Sequence, residues 1–327
     1  MIFPSPQENQ ELLRSIIRAL NSSFKNFTTE KEPQLIANLV WNLPNQINKS
    51  RISSRFQISC GGVFVHAQPF VKSRAFPKQE PASVEIGDLL LLRTEKKGAI
   101  IDHRAMLLQA KKTDTFPPTP DNKNQHYLYS HWPYFEYVRS GNLSGKKRSV
   151  SGLDLYNGAK YLTISQNLHT CFHQSFDFTH NIGFLLNSCS LTSQPSMPTL
   201  SHYRCFLDEI ASFILGNSGK AFGPPKRRTI GWDRVINDLI DETACKFSVF
   251  MGNVFGTKVA PRGNNQIIFF QGISSDNHAL LFPLGRMGKT SQGNSGNEVP
   301  PVIEGSWPED NEENSGISII EFMVNTE

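Results

Sequence analysis

The chain has 327 residues, of which 38% are hydrophobic and 10% aromatic, enough for one large or two moderate domains, and this excludes global disorder. Thirty-three Lys and Arg against 29 Asp and Glu give a formal charge of +4, which permits contact with a polyanion but does not demand it. Cys60, Cys171, Cys189, Cys205 and Cys245 are scattered with no CxxC pair, and no stretch has the length of a membrane span or the pattern of an export signal, so the expectation is a soluble protein of the reducing cytoplasm with no membrane partner.

Leu12, Leu13, Ile16, Ile17 and Leu20 recur at helical spacing and predict an amphipathic helix over residues 11–24. A second helix is expected from near Thr29, with Leu35, Ile36, Leu39, Val40 and Leu43 on one face, stopping at Pro44. Residues 56–71 read as a strand or hairpin bent at Gly61-Gly62, and two apolar strands follow at 84–92 and 104–112. The proline-rich residues 116–124 form a loop, residues 126–138 a packed helix or turn, and residues 158–164 a short buried strand. Helices are expected at 203–215 and 232–245, strands at 266–270, 278–282 and 317–324, and a loop rich in Gly, Ser, Asn and acids at 285–316. This order argues for an α/β fold, a mixed central sheet covered by helices, with a boundary near residue 175 and an α+β C-terminal region over 176–327.

The polar residues inside the two apolar strands are the candidates for chemistry, because an unpaired charge in a buried strand costs several kcal/mol. Alternation puts Val84, Ile86, Asp88, Leu90 and Leu92 on one face, and Leu107, Gln109 and Lys111 on one face of the neighbouring strand. Helical phase puts Glu32 within the apolar stripe of the second helix, with Glu30 pointing away. Carboxylates, an amide and an ammonium converging at a sheet end suit metal-assisted hydrolysis of a phosphodiester. Each residue also has a bland reading: Asp88 as a bulge cap, Gln109 at an edge, Lys111-Lys112 as a strand entering water, and Thr29 with Glu32 as a capping box.

An acidic helix residue, an Asp on one strand and a Gln-Ala-Lys-Lys run on the next resemble the PD-(D/E)XK nuclease superfamily, whose fold is called restriction-endonuclease-like. The likeness covers residues 28–165, and the QxK variant resembles Mrr-type branches. It implies that Asp88 is the principal metal ligand, Gln109 holds the second acid's place, Lys111 is the catalytic lysine and Glu32 matches the helix glutamate, with Ala110 offering a backbone carbonyl. It also implies Mg²⁺, with Mn²⁺ as substitute, a DNA substrate with RNA as the other option, and a bacterial antiphage or restriction role with a defence partner or a homodimer. The competing expectation is a non-catalytic nucleic-acid-binding or assembly subunit, because Gln109 carries no charge and the second half is uncharacteristic of the family; Gly87 stands where the motif often has proline, a harmless departure because the aspartate does the chemistry.

Basic loops Lys146-Lys147-Arg148 and Lys226-Arg227-Arg228, together with Lys112, are the candidates for phosphate contact. The aromatic run Tyr127, Tyr129, Trp132, Tyr134, Phe135 and Tyr137 is expected in the core rather than stacked on bases. His169, Cys171, His173 and His180 lack paired zinc spacing, and residues 283–290 lack the first glycine and the helix start of a phosphate loop.

Overall fold

The computed structural model describes residues 4–50, 56–65, 69–78, 83–113, 118–150, 155–165, 189–196, 200–223, 229–251, 258–259, 267–271 and 316–326. Helices α1 (Pro6–Ser23) and α2 (Glu32–Lys49) lead into strands β1 (Phe56–Val65), β2 (Phe70–Lys72), β3 (Val84–Glu85), β4 (Leu89–Lys97) and β5 (Ile100–Lys112). Next come α3 (Lys123–His131), β6 (Phe135–Val138), β7 (Lys147–Arg148), α4 (Leu155–Gly158) and β8 (Ala159–Ser165). The remainder supplies β9 (Cys189–Pro195), β10 (Leu200–Cys205), α5 (Phe206–Ile214), β11 (Lys220–Ala221), α6 (Gly231–Met251), β12 (Lys258–Val259), β13 (Ile267–Gln271) and β14 (Ser318–Thr326).

The fold is mixed α/β, built on a central mixed sheet in the order β10-β9-β8-β5-β4-β14-β1-β13-β12, with β11 on the far part of β5. β4 and β5 form an antiparallel hairpin, while β5–β8 and β4–β14 are the parallel pairs. Because β14 lies between β4 and β1, the strand from residue 318 onward closes the middle of the sheet. The boundary expected near residue 175 therefore runs through one sheet.

Alternation along the strands divides the core. Leu89, Leu91, Met106, Leu108, Ala110 and Leu162 meet α1, α2 and α5 on one face. Leu90, Leu92, Leu107 and Tyr161 meet α3, α6 and a small second sheet, β3-β2-β6-β7, on the other. Where β8 passes under α5, Lys160 pairs with Glu209 at 2.7 Å, and Ser218, Thr192 and Arg204 also reach that carboxylate. Burial would raise the Glu209 pKa, but Lys160, Ser218 and Arg204 outweigh it and hold the group below its ordinary value.

Several expectations change. α2 begins at Glu32 with Lys31 as N-cap, and Thr29 donates its hydroxyl to the Asn26 carbonyl, so the Thr29–Glu32 capping box does not form. The helix runs through Pro44 to Lys49, because Leu43 and Ile47 are both fully buried and packing outweighs one lost helical bond. Pro44 has no N–H for the Val40 carbonyl, and β1 brings Gly62 against that oxygen: a Cβ there would lie 2.7 Å away. β1 passes straight through Gly61-Gly62 and continues the ladder to β14, so the expected bend is absent. Residues 203–205 end β10, and the helix starts only at Phe206. The basic run Lys226-Arg227-Arg228, the His169–His180 group, the strand at 278–282 and residues 283–315 lie outside the described residues.

Candidate active site

β4 starts at Leu89, opposite Leu108, so β5 runs four residues past its partner. Three groups occupy the edge that β4 leaves open. The Asp88 N–H donates to the Leu108 carbonyl at 2.9 Å, and the Ala110 N–H donates to Asp88 Oδ2 at 2.6 Å. The Lys112 N–H then donates to Glu32 Oε1 at 2.9 Å. Since a strand residue's N–H and C=O project to the same side, the Ala110 carbonyl lies on this edge between the two carboxylates.

Asp88 is 8% exposed and Gln109 is 1% exposed. Gln109 Nε2 donates to Asp88 Oδ2, and its Oε1 accepts from Gln125 Nε2 on α3 at 2.6 Å. Gln125 to Gln109 to Asp88 is thus a continuous chain of donors, and it fixes the carboxylate's orientation. Gly87 is needed just before it: a Cβ would lie 2.7 Å from Leu107 Cδ1 and 2.9 Å from the Tyr129 hydroxyl. That hydroxyl donates to the Ile86 carbonyl at 2.9 Å, so α3 clamps both sides of the Asp88 turn.

Lys111 shares the face of Gln109, and its ammonium is 3.6 Å from Asp121 Oδ1. Burial would lower its pKa, but Glu32, Asp121, Asp88 and Glu85 together outweigh burial and leave it raised. Lys111 is therefore a persistent cation in a notch with more carboxylates than ammonium groups. Lys112 turns to the opposite face, where its ammonium donates to the Glu30 carbonyl at 2.9 Å and sits 4.6 Å above the Phe27 ring.

Next to this pair the sheet presents buried polar groups that find no partner among the described residues. Tyr161 stands beside Gln109, Thr163 beside Lys111, and Ser193 beside Tyr161 in the register of β5, β8 and β9. The hydroxyls of all three lack a hydrogen-bond partner there, as does Nε2 of His126, whose ring is edge-on to Tyr161. Burial holds the His126 imidazole below its ordinary pKa despite a hydrogen bond to the Ser196 backbone, and burial pushes the Tyr161 hydroxyl far up. Unsatisfied buried groups are costly, so these four concentrate polar cost on the face of the sheet that carries Gln109 and Lys111.

No family model, curated protein or solved structure matches this chain. What the site can do follows from its own residues.

Asp88, Gln109, Ala110 and Lys111 are brought together, and Glu32 reaches the same edge from the opposite face of the sheet. Among the described residues no group of three or more His, Cys, Asp or Glu side chains is placed to hold a metal. Mg²⁺ needs only one or two protein carboxylates when water and substrate phosphate fill the octahedron, so this donor set fits that mode. Among the basic candidates, Lys146 and Lys147 are exposed, whereas Arg148 turns inward to a bidentate pair with Asp238 of α6, at 2.5 and 3.1 Å. Sequence reasoning does not single out Gln125 or Asp121. The signal for the first is the i, i+4 spacing of Gln125 and Tyr129, which puts both on the sheet-facing side of α3.

Proposed function

We propose that the notch where β4 begins and β5 ends hydrolyses phosphodiester bonds of DNA with the help of Mg²⁺, in the manner of a restriction-endonuclease-like protein. The observation that carries this reading is Asp88 held by Gln109 and the Ala110 N–H beside a Lys111 that remains cationic. Asp88 and the Ala110 carbonyl would hold the metal, with Glu32 across the same edge and Gln109 as the donor that orients Asp88. A bound Mg²⁺ would activate water and offset charge on the phosphorane. Lys111, as a fixed cation, positions the attacking water and the scissile phosphate and stabilises developing negative charge.

The reading is tested by incubating plasmid, linear and single-stranded DNA, and RNA, with the protein and Mg²⁺ or Mn²⁺. Metal-dependent cleavage, lost in Asp88→Ala and Lys111→Ala, supports it; uncut substrates under every condition refute it. RNA cut in preference to DNA would reassign the substrate.

One observation favours a second reading. The donor chain Gln125, Gln109, Asp88 is complete without a cation, as suits a nuclease-fold subunit that binds nucleic acid without cutting it, within a defence assembly. Salt-dependent DNA binding with no Mg²⁺ or Mn²⁺ affinity identifies that case.

A further inference from the structure

On the outer side of the small second sheet, the chain from β2 to Lys78 and the β6–β7 pair enclose a groove of about 880 Å³. Its lining includes four cations, Lys72, Arg74, Lys78 and Lys147, against one carboxylate, Glu136. All four cations are exposed, and among the described residues Glu136 pairs only with Lys72, at 3.3 Å. At the lip, Tyr134 is 59% exposed, while its neighbours in the aromatic run, Tyr129, Trp132, Phe135 and Tyr137, are at most 2% exposed. A large ring left in water beside cations is a stacking surface, not a core residue.

The groove is physically joined to the notch. The Lys78 N–H donates to Asn124 Oδ1 at 2.9 Å and Asn124 Nδ2 donates back to the Lys78 carbonyl at 2.8 Å. Asn124 precedes Gln125, which donates to Gln109. A strand lying along the cations toward Lys78 would thus be led to the end of α3 that borders Asp88 and Lys111.

We infer that this groove binds a single-stranded nucleic-acid segment, its phosphates on Lys72, Arg74, Lys78 and Lys147 and a base on Tyr134. A positive channel combined with an aromatic platform is the chemistry of single-strand binding, since every unpaired base has a face to stack and a duplex hides it. The inference rests on the nuclease reading for the groove's purpose, and it names that site's substrate as unpaired. Lys147 is legible in the sequence as a basic loop residue; Lys72, Arg74 and Lys78 are not, because Ser73, Ala75, Phe76 and Pro77 separate them so that they form no basic run, and only the sheet brings Lys147 beside them.

The test is fluorescence anisotropy of a labelled oligothymidylate, the matching duplex and the matching RNA, in chelator, using the Asp88→Ala protein so that cleavage cannot intervene. The single strand should bind more tightly than the duplex, and the RNA arm assigns the sugar. Tyr134→Ala should weaken binding by roughly 5- to 100-fold. Joint replacement of Lys72, Arg74 and Lys147 by Ala should flatten the salt dependence by roughly 0.7 in log–log slope for each phosphate no longer neutralised. Glu136→Gln, which frees Lys72, should tighten binding. The inference is overturned if these variants bind like the parent, if duplex binds as well as single strand, or if polyglutamate competes equally well. Binding without metal-dependent cleavage by the wild type would refute the nuclease reading and leave the groove standing, and the reverse result would do the opposite.

Discussion

Gln109→Glu converts the amide that donates to Asp88 into a second carboxyl, and the outcome depends on whether the notch is a cation site. The change removes a hydrogen bond to a charged group, worth about 1.5–3 kcal/mol, while the acceptor for Gln125 Nε2 remains. Two bare carboxylates at about 3 Å would repel by roughly 5–6 kcal/mol at an effective dielectric near 20. The pair avoids that by keeping one proton, which for a carboxyl of ordinary pKa about 4.3 costs roughly 3.7 kcal/mol at pH 7 and roughly 1 kcal/mol at pH 5. The variant group therefore has a raised folded pKa, so its stability is greatest in acid and is lost as pH rises, by about 1.4 kcal/mol per unit. Urea unfolding of both proteins between about pH 5 and 7, with and without millimolar Mg²⁺, measures this. The expected result is a pH-dependent loss that Mg²⁺ largely reverses, since a dianionic pair is the better ligand. A pH-independent loss, or one that Mg²⁺ does not touch, would refute the notch as a cation site.

Gly87→Ala should destabilise by about 1–3 kcal/mol and impair any activity, because the new Cβ meets Leu107 and the Tyr129 hydroxyl and displaces the Asp88 turn; an unchanged urea midpoint would contradict the clamp. Lys160→Met should cost about 3–5 kcal/mol at neutral pH by leaving Glu209 buried without its main partner. Because Glu209 has a depressed pKa, its contribution is present above the ordinary carboxyl pKa and lost as pH falls through the folded value, so the acid limb of stability should be shallower in the variant. Lys111, with its pKa raised, contributes below 10.5 and loses that contribution only as pH rises through its higher folded value. A pH–rate profile should show no lysine limb near neutrality, and a Lys111 resonance titrating there would overturn its role as a fixed cation.

The β4–β5 hairpin and the convergence of Asp88, Gln109 and Lys111 are legible in the sequence because polar residues at fixed positions flank or interrupt two local apolar runs, but the single strand expected at 84–92 is split: Val84–Glu85 joins the second sheet, and Asp88 sits in the turn that enters β4. Glu32 is legible only in part: helical phase turns it toward the sheet, but its partner is the Lys112 backbone, on the face opposite Lys111's side chain. The α3 contributions are hidden because Gln125 bonds Gln109 across 16 residues, a pairing no local pattern encodes. Pro44 misleads because its cost is local whereas the burial of Leu43 and Ile47 is tertiary. Likewise nothing in residues 318–326 announces a strand between β4 and β1; parallel pairing over such a separation is decided by the finished sheet. Arg148 looks like its neighbours in a basic run, and only the position of Asp238 on α6 turns it inward.

Single-turnover cleavage of an end-labelled single-stranded oligonucleotide in Mg²⁺ or Mn²⁺, comparing wild type with Asp88→Asn and Lys111→Met, bears most directly on the notch as a phosphodiester hydrolase. Both variants keep side-chain volume close to the original, so folding should survive and can be checked by urea unfolding. The expected result is cleavage by the wild type and a loss of roughly a hundredfold or more in each variant, the scale of removing an electrostatic group that acts in the transition state. Cleavage that continues unchanged in both variants, or none by the wild type with either metal, would contradict it.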